Sequence, residues 1–282
     1  MCGIAGYYRL PTTPFPDLEL LITWASLANR GHDAAGAMWH TAEVGHVSFS
    51  KIGQSATDCG AAIWRFATVP TAPLWIALHT RAATHGAADN NDNNHPVRYG
   101  NILVQHNGVV VNKDEVFENL QLLAQSEVDT ESVAACLDVG GLPKVLELCE
   151  GSMSLAWVDV RTPGTLHLYT NGGSPLYFGR APCGGFSYAS TATLLPTTLR
   201  PVKGTQPAGT HITLYPSGRV VQTTPGTGKT LSWVSQWAHS PMSNTWYHCF
   251  DPVCKQQPTG HLHRTLAFPY DLHHRHKEQH GK

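Results

Sequence analysis

The second residue of the chain is a cysteine, in the run Met1-Cys2-Gly3-Ile4. Initiator methionine is normally trimmed when a small residue follows it, so Cys2 is expected as the mature N-terminal residue, with a thiol and a free α-amine on one carbon. That amine titrates near ~7.7–8.0. Neutral, it can take the thiol proton directly or through a water, and the thiolate is the competent nucleophile. Four other clusters could serve such a nucleophile. In His106-Asn107-Gly108 an amide N–H and a backbone N–H can converge on one oxygen, as a tetrahedral oxyanion requires; Asn-Gly is equally the strongest short hairpin signal. Arg81, in His79-Thr80-Arg81-Ala82-Ala83-Thr84-His85-Gly86, offers a planar fork suited to a carboxylate, or closes its strand in a surface salt bridge. Arg30-Gly31-His32-Asp33-Ala34-Ala35-Gly36 also reads as an ordinary helix stop, and Asp129-Thr130-Glu131 as an ordinary N-cap. Taken singly, each cluster has a bland explanation, and so does a cysteine at position 2.

The elements that must position these groups follow from periodicity. Residues 2 to about 10 read as a strand. Asp17–Asn29 reads as a helix, with Leu18, Leu21, Ile22, Ala25 and Ala28 at helical spacing and Gly31 beyond its end. Ala34–Trp39 and His46–Ile52 read as strands, and Leu74–Thr80 as an apolar strand ending at Arg81. Asn90–Asn94 is a loop. Asn101–Gln105 and Val109–Val111 are β-like, with His-Asn-Gly between them. Asp114 to about Ala124 reads as a helix capped by Asp114, with Phe117, Leu120 and Ala124 on one face, and a second helix begins near Asp129. From Ser154 the chain turns mostly to β, and THITLY-PSG-RVVQTT reads as a hairpin. Strand and helix blocks segregate instead of alternating, which predicts antiparallel sheets covered by helices more than a doubly wound parallel sheet.

Composition narrows the classes. With 41% apolar and 14% charged residues over 282, the chain can bury a sizeable core. A net charge of −1 gives no electrostatic case for nucleic acid or an anionic membrane as main partner. No apolar run approaches the roughly 18 residues of a membrane span, and no signal peptide opens the chain, so a cytoplasmic protein is expected. The seven cysteines are odd in number and irregularly spaced, which favours reduced thiols. Near Pro225 the composition shifts to a His-rich stretch, and 226–282 is expected as a weakly ordered tail. His248, Cys249, Cys254, His261 and His263 are zinc-competent but lack tight ligand spacing, so no metal and no cofactor are expected. Pro225-Gly226-Thr227-Gly228-Lys229-Thr230 imitates a phosphate loop, but Thr223 stands where the pattern needs Gly, and the stretch reads as a linker.

Taken together and in order, the five clusters resemble the glutaminase domain of class II glutamine amidotransferases, a family of N-terminal nucleophile hydrolases. Cys2-Gly3-Ile4 matches its opening, Arg30–Gly36 its Arg-Gly-x-Asp-(Ser/Ala)-Ala-Gly, and His79–Gly86 its His-Thr-Arg-x-Ala-Thr-x-Gly. His95-Pro96, His106-Asn107-Gly108 and Val128-Asp129-Thr130-Glu131 match further segments, and weaker echoes continue at Gly151–Ala156, Ser174–Gly179 and Tyr188–Ser190. The resemblance covers about residues 2–225. It implies an α+β fold, a four-layer αββα sandwich of two antiparallel sheets. It also implies roles: Cys2 as nucleophile on the glutamine amide, Asn107 and Gly108 as oxyanion donors, Arg30 as support for the Cys2 end. Arg81, helped by Thr84 and His85, would hold the α-carboxylate of L-glutamine, and Asp129 its α-ammonium. The chain departs from the pattern at Ala82, where Trp or Tyr is usual, at Asn29 for Tyr, and at Thr191 for an acid. A tail of about 57 residues is too short for a synthase domain, so ammonia is expected to pass to a separate synthase subunit. The other readings are an amidase acting on another γ-glutamyl compound and a non-catalytic interaction domain.

Overall fold

Alternation of inward and outward side chains builds two antiparallel sheets back to back. The computed structural model describes residues 2–10, 13–41, 45–58, 72–202 and 204–224, with the backbone of three strands between 230 and 249. In chain order the elements are β1 (Gly3–Tyr8), α1 (Asp17–Leu27), β2 (Ala34–His40), β3 (Val47–Ile52), β4 (Trp75–Arg81), β5 (Val97–Tyr99), β6 (Ile102–Val110), α2 (Lys113–Leu120), α3 (Thr130–Leu148), β7 (Gly151–Asp159), β8 (Leu166–Thr170), β9 (Tyr177–Arg180), β10 (Phe186–Ala189), β11 (Thr210–Leu214) and β12 (Val220–Thr223). After them come β13 (Thr230–Trp233), β14 (Gln236–Ser240) and β15 (Thr245–Cys249). One sheet has the order β3-β2-β4-β1-β10-β9 and the other β13-β12-β11-β8-β7-β6-β5, while β14 and β15 pair with each other.

Three apolar layers follow from strand parity. Ile4, Tyr8, Met38, Trp75 and Ala77 of the first sheet meet Leu103, Ala156, Leu168 and Ile212 of the second in the central layer. The opposite face of the first sheet, with Ala5, Tyr7, Ala37, Ile76 and Leu78, packs on Leu20, Trp24 and Leu27 of α1. The outer face of the second, with Val104, Met153, Leu155 and Trp157, packs on Val116 of α2 and Val133, Ala134 and Leu137 of α3. The result is the expected helix–sheet–sheet–helix sandwich. Each fully buried large side chain contributes about 1.5–3 kcal/mol.

Several element-level expectations need correction. The apolar stripe expected to bury α1 is displaced: Leu18, Leu21 and Ile22 are 65%, 45% and 47% exposed, while Leu20, Thr23, Trp24 and Leu27 are buried. Both stripes are apolar, and the tertiary choice falls to Trp24, whose Nε1–H also donates to the Ala56 carbonyl (2.8 Å). α2 starts at Lys113 with Asn112 as N-cap, not Asp114, and ends at Leu120 where Gln121 turns left-handed (φ 55°). Ala124 therefore lies outside it. His106-Asn107-Gly108 makes no hairpin turn; β6 runs unbroken through it, paired with β7 from Ile102↔Asp159 to Val110↔Gly151. The expected hairpin does form as β11 and β12, in register His211↔Thr223 to Leu214↔Val220. Beyond residue 225, β13 extends the second sheet by pairing with β12. Residues 225–229 of the phosphate-loop imitation, and the side chains of the His/Cys-rich tail, lie outside the described residues.

Candidate active site

The two sheets are tied to each other at one end by two hydrogen bonds. Gln105 Nε2–H donates to the Ala77 carbonyl (3.2 Å), and His79 Nε2–H to the His106 carbonyl (3.1 Å). Both bonds step the same way along β4 and β6, so the end of β4 at Arg81 lies over Asn107 and the residues after it. Parity does the rest. Arg81 shares the inward face of Trp75 and Ala77, Asn107 that of Leu103 and Gln105, and Cys2 that of Ile4 and Tyr8. Because Gly3 pairs with Thr80, Cys2 stands beside Arg81. Parity thus turns the thiol, the guanidinium and the carboxamide to the inter-sheet side, at the same end of the two sheets.

The Cys2 thiol is half-buried and lies against the next peptide of the neighbouring chain segment. The Ala82 N–H donates to Sγ (3.4 Å), and Sγ lies 3.5 Å from the Ala82 carbonyl. Burial raises the thiol above its usual range; the Ala82 N–H and the positive charge of Arg81 oppose that shift, and Asp129 reinforces it. The segment holding Sγ is fixed by Arg30–Gly36. Gly31 passes so close to Arg81 that a Cβ there would stand 2.5 Å from the Arg81 carbonyl oxygen and 2.8 Å from the Ala82 nitrogen. The Asp33 carboxylate accepts the Ala83 N–H (2.7 Å), its own N–H donates to the Arg81 carbonyl (3.1 Å), and Arg30 Nε–H donates to the Cys2 carbonyl (3.3 Å). At Gly36 a Cβ would meet the His95 carbonyl oxygen at 1.8 Å.

Behind Asn107 and Gly108 runs one polar relay. A carbonyl only accepts, so His106 Nε2 carries a proton for the Ser152 carbonyl (3.1 Å), and its Nδ1 must accept from the Thr130 hydroxyl (3.0 Å). That hydroxyl is then free to accept from His95 Nε2–H (3.0 Å). His95 stacks on His79 with ring centroids 3.9 Å apart, and the Nδ1 atoms of both rings are buried without a partner. All three rings are neutral: burial holds His79 down to about 3, His95 well below the usual histidine range and His106 below it. The relay pins the strand that carries Asn107, whose own carboxamide makes no hydrogen bond among the described residues although it is only 4% exposed. Gly108 has φ +152°, and a Cβ on it would stand 1.8 Å from the Ser152 carbonyl oxygen.

The two charged residues expected to read a ligand both act electrostatically on the thiol. Among the described residues Arg81 makes no ion pair; it is 2% exposed. Its guanidinium donates to Asn94 Oδ1 (3.0 Å), the Gly86 carbonyl (2.9 Å) and the His85 carbonyl. Three of the five guanidinium N–H groups are thus paired among the described residues. Asp129 precedes α3 but makes no side-chain cap; it accepts the Val110 N–H (2.7 Å) from the end of β6. Cys2, Asp129 and Asp33 all act electrostatically on Arg81, so the four groups are linked electrostatically. Thr84 and His85 are exposed in the loop after β4, their side chains 3.3 Å apart.

Sequence reasoning singled out Cys2, Arg30, Arg81, Thr84, His85, Asn107, Gly108 and Asp129; the fold sets Cys2, Arg30, Arg81, Asn107, Gly108 and Asp129 at one end of the sandwich and leaves Thr84 and His85 exposed in the loop after β4. That reasoning assigned nothing to Asp33, Asn94, Thr130 or the three stacked and linked histidines. Asp33 and Thr130 lie inside quoted motifs; their partners are up to 50 residues away, and periodicity does not reveal them. Two cavities, of about 280 Å³ around Lys51, Arg98 and Glu131 and about 420 Å³ around Leu142, Trp157 and His211, lie elsewhere. Among the described residues no group of three His, Cys, Asp or Glu is placed to hold a metal ion, and no helix is long and apolar enough to cross a membrane.

Solved structures share this architecture. A glutamine phosphoribosylpyrophosphate amidotransferase from B. subtilis superposes with a TM-score of 0.63 at 18% identity, over 80% of this chain and 50% of that one. A structure described as the allosteric regulatory enzyme of purine biosynthesis gives 0.62 at 19%. This chain shares the fold of their corresponding halves. Residues 79–197 match the glutamine amidotransferase domain family. Glutamine–fructose-6-phosphate aminotransferase (isomerizing) of Aquifex aeolicus is 30% identical over 212 residues, covering 70% of this chain and 34% of its own length; that of Salmonella typhi is 32% identical over 213, covering 71% and 33%. The chain carries a class II glutamine amidotransferase domain, and it spans about a third of the length of these aminotransferases.

Proposed function

We propose that this chain is a glutaminase. After removal of Met1, the Cys2 thiolate attacks the side-chain amide carbon of glutamine, the C–N bond breaks with release of ammonia, and water cleaves the γ-glutamyl thioester to glutamate. Burial raises the thiol, so it needs a base, and the α-amine freed on the same residue can accept the proton. Asn107 Nδ2–H and the Gly108 N–H take the developing oxyanion; one such donor is worth about 2.7–4 kcal/mol of barrier. Arg81 reads the α-carboxylate, with Thr84 and His85 beside it, and Asp129 reads the α-ammonium. Opposite charges at the two ends of the ligand backbone fix its amide over the sulfur, which lowers the entropic cost of attack. Arg30 holds the Cys2 carbonyl. The ammonia goes to a separate synthase in the cytoplasm.

One observation carries this reading: Sγ rests on the Ala82 N–H with Arg81 and Asp129 both acting on it. The relatives are named for glutamine together with fructose 6-phosphate or phosphoribosylpyrophosphate, which supports glutamine as the substrate. The test is glutamate release by the purified chain and by Cys2→Ala, with glutamine and γ-glutamyl peptides as rival substrates. Loss in the variant and preference for glutamine are expected. Equal turnover by Cys2→Ala removes the mechanism, and preference for a γ-glutamyl peptide replaces the substrate.

A further inference from the structure

Helix α3 is not one rod. Gly141 has φ 66° and ψ −162° in its middle, and Pro143 follows. The break folds the second half back on the first, and two thiols meet as a result. Cys136 and Cys149 are thirteen residues apart, which in an unbroken helix means a separation of about 20 Å. Here their sulfurs are 3.8 Å apart. Cys136 is fully buried, and Cys149, in extended conformation at the helix end (φ −90°, ψ 126°), is partly exposed.

We propose that Cys136 and Cys149 are a reversible dithiol–disulfide pair, a redox modification site closed by exchange with a small-molecule disulfide such as oxidised glutathione. The exposed Cys149 thiolate attacks one sulfur of glutathione disulfide, its S–S bond breaks, and one glutathione leaves as thiolate. The buried Cys136, deprotonated to solvent, then attacks the Cys149 sulfur of the mixed disulfide and expels the second glutathione thiolate. Two protein thiols are oxidised and one external disulfide is reduced; the two protons lost by the protein thiols end on the two departing glutathione thiolates, so the products are one protein disulfide and two glutathione thiols. The division of labour agrees with the electrostatics. The hydrogen bond to Cys136 holds the Cys149 thiol below the usual range, while that bond and then burial push Cys136 up. A bond of about 2.05 Å requires the sulfurs to approach by about 1.8 Å, and the Gly141 break and the extended backbone at Cys149 supply that freedom.

The clamp closes on the layer behind the candidate active site. The start of α3 carries Thr130, and the chain after Cys149 leads to Ser152; both are partners of His106. The pair therefore ties together the two ends of the segment that backs the Asn107 strand.

The test uses the full chain equilibrated in glutathione buffers of rising oxidised fraction, quenched in acid, alkylated and digested with trypsin. Lys144 lies between the two cysteines, so the link appears as two joined peptides, lighter by two hydrogens than the free pair. The joined peptides are expected in oxidised buffer and absent after dithiothreitol. The melting temperature is expected to rise by about 5 °C on oxidation, an increase absent in Cys149→Ala. Cys136→Ala is expected to trap one glutathione on Cys149. The proposal is overturned if wild type keeps both thiols alkylatable in oxidised buffer, stops at a glutathione adduct on Cys149, or joins Cys149 to another cysteine.

Discussion

Cys2 holds two demands in tension. A half-buried sulfur is shielded from bulk water, but the same burial raises its thiol, so reactivity depends on a base within reach. If the α-amine is that base, blocking it is as damaging as removing the sulfur. Glutaminase activity is expected to vanish in a chain with an N-terminal extension and to survive a C-terminal one; equal activity of the two in a glutamate-release assay contradicts this. Activity in the free chain should also rise with pH through the range of a free amine, ~7.7–8.0. Asn107 poses a different question, because its carboxamide has no hydrogen-bond partner among the described residues. Asn107→Ala should therefore lower kcat by about 10²–10³ with a small change in KM and an unchanged urea midpoint. A large loss of stability instead would make the residue structural.

At the scale of elements, the site depends on backbone approaches that only glycine permits. Gly36 brings β2 against the His95 carbonyl, and Gly31 lets the Arg30 segment lie on Arg81 and Ala82, which hold the sulfur. Gly36→Ala places a methyl 1.8 Å from a main-chain oxygen, and backbone cannot move aside as a side chain does. A loss of about 1–3 kcal/mol is expected, read as a lower urea midpoint; an unchanged midpoint means the His95 loop yields freely. The Arg-Gly-x-Asp motif was legible as a motif but not as a device. Nothing in its spacing says that Asp33 accepts the Ala83 N–H. In the same way the sequence showed α1 as a helix but put the wrong stripe inward, because two apolar stripes compete and the sheet surface chooses between them.

Across the whole molecule, three neutral histidines occupy the join between the sheets. In the unfolded chain each titrates near ~6.5, while burial keeps all three lower in the folded state, His79 at about 3. As pH falls below ~6.5 the unfolded state takes up protons first. The contribution of the neutral rings to stability is thus fully present above ~6.5 and is lost progressively down to the folded values. For His79 the loss between pH 6.5 and 5 is about 2 kcal/mol at 1.36 kcal/mol per unit, and His95 and His106 add in the same direction. Urea midpoints should fall steadily across that window and stay level from pH 7 to 8. A midpoint flat down to pH 5 would mean that the rings find partners for their protonated Nδ1 atoms.

The sequence alone determined the inventory and its order: Cys2 ahead of the first strand, Arg81 at the end of an apolar strand, Asn107-Gly108 within β-like segments, Asp129 at a helix start, and an antiparallel class of fold. These follow from local periodicity and from side-chain chemistry, which each stretch carries by itself. Tertiary structure decided whether His106-Asn107-Gly108 was a turn or a strand, because β7 offered nine residues of continuous pairing. It also decided which face of α1 was buried, and where the Asp129 carboxylate went. These choices depend on partners tens of residues away, whose free energies exceed local preferences and leave no periodic mark in the chain.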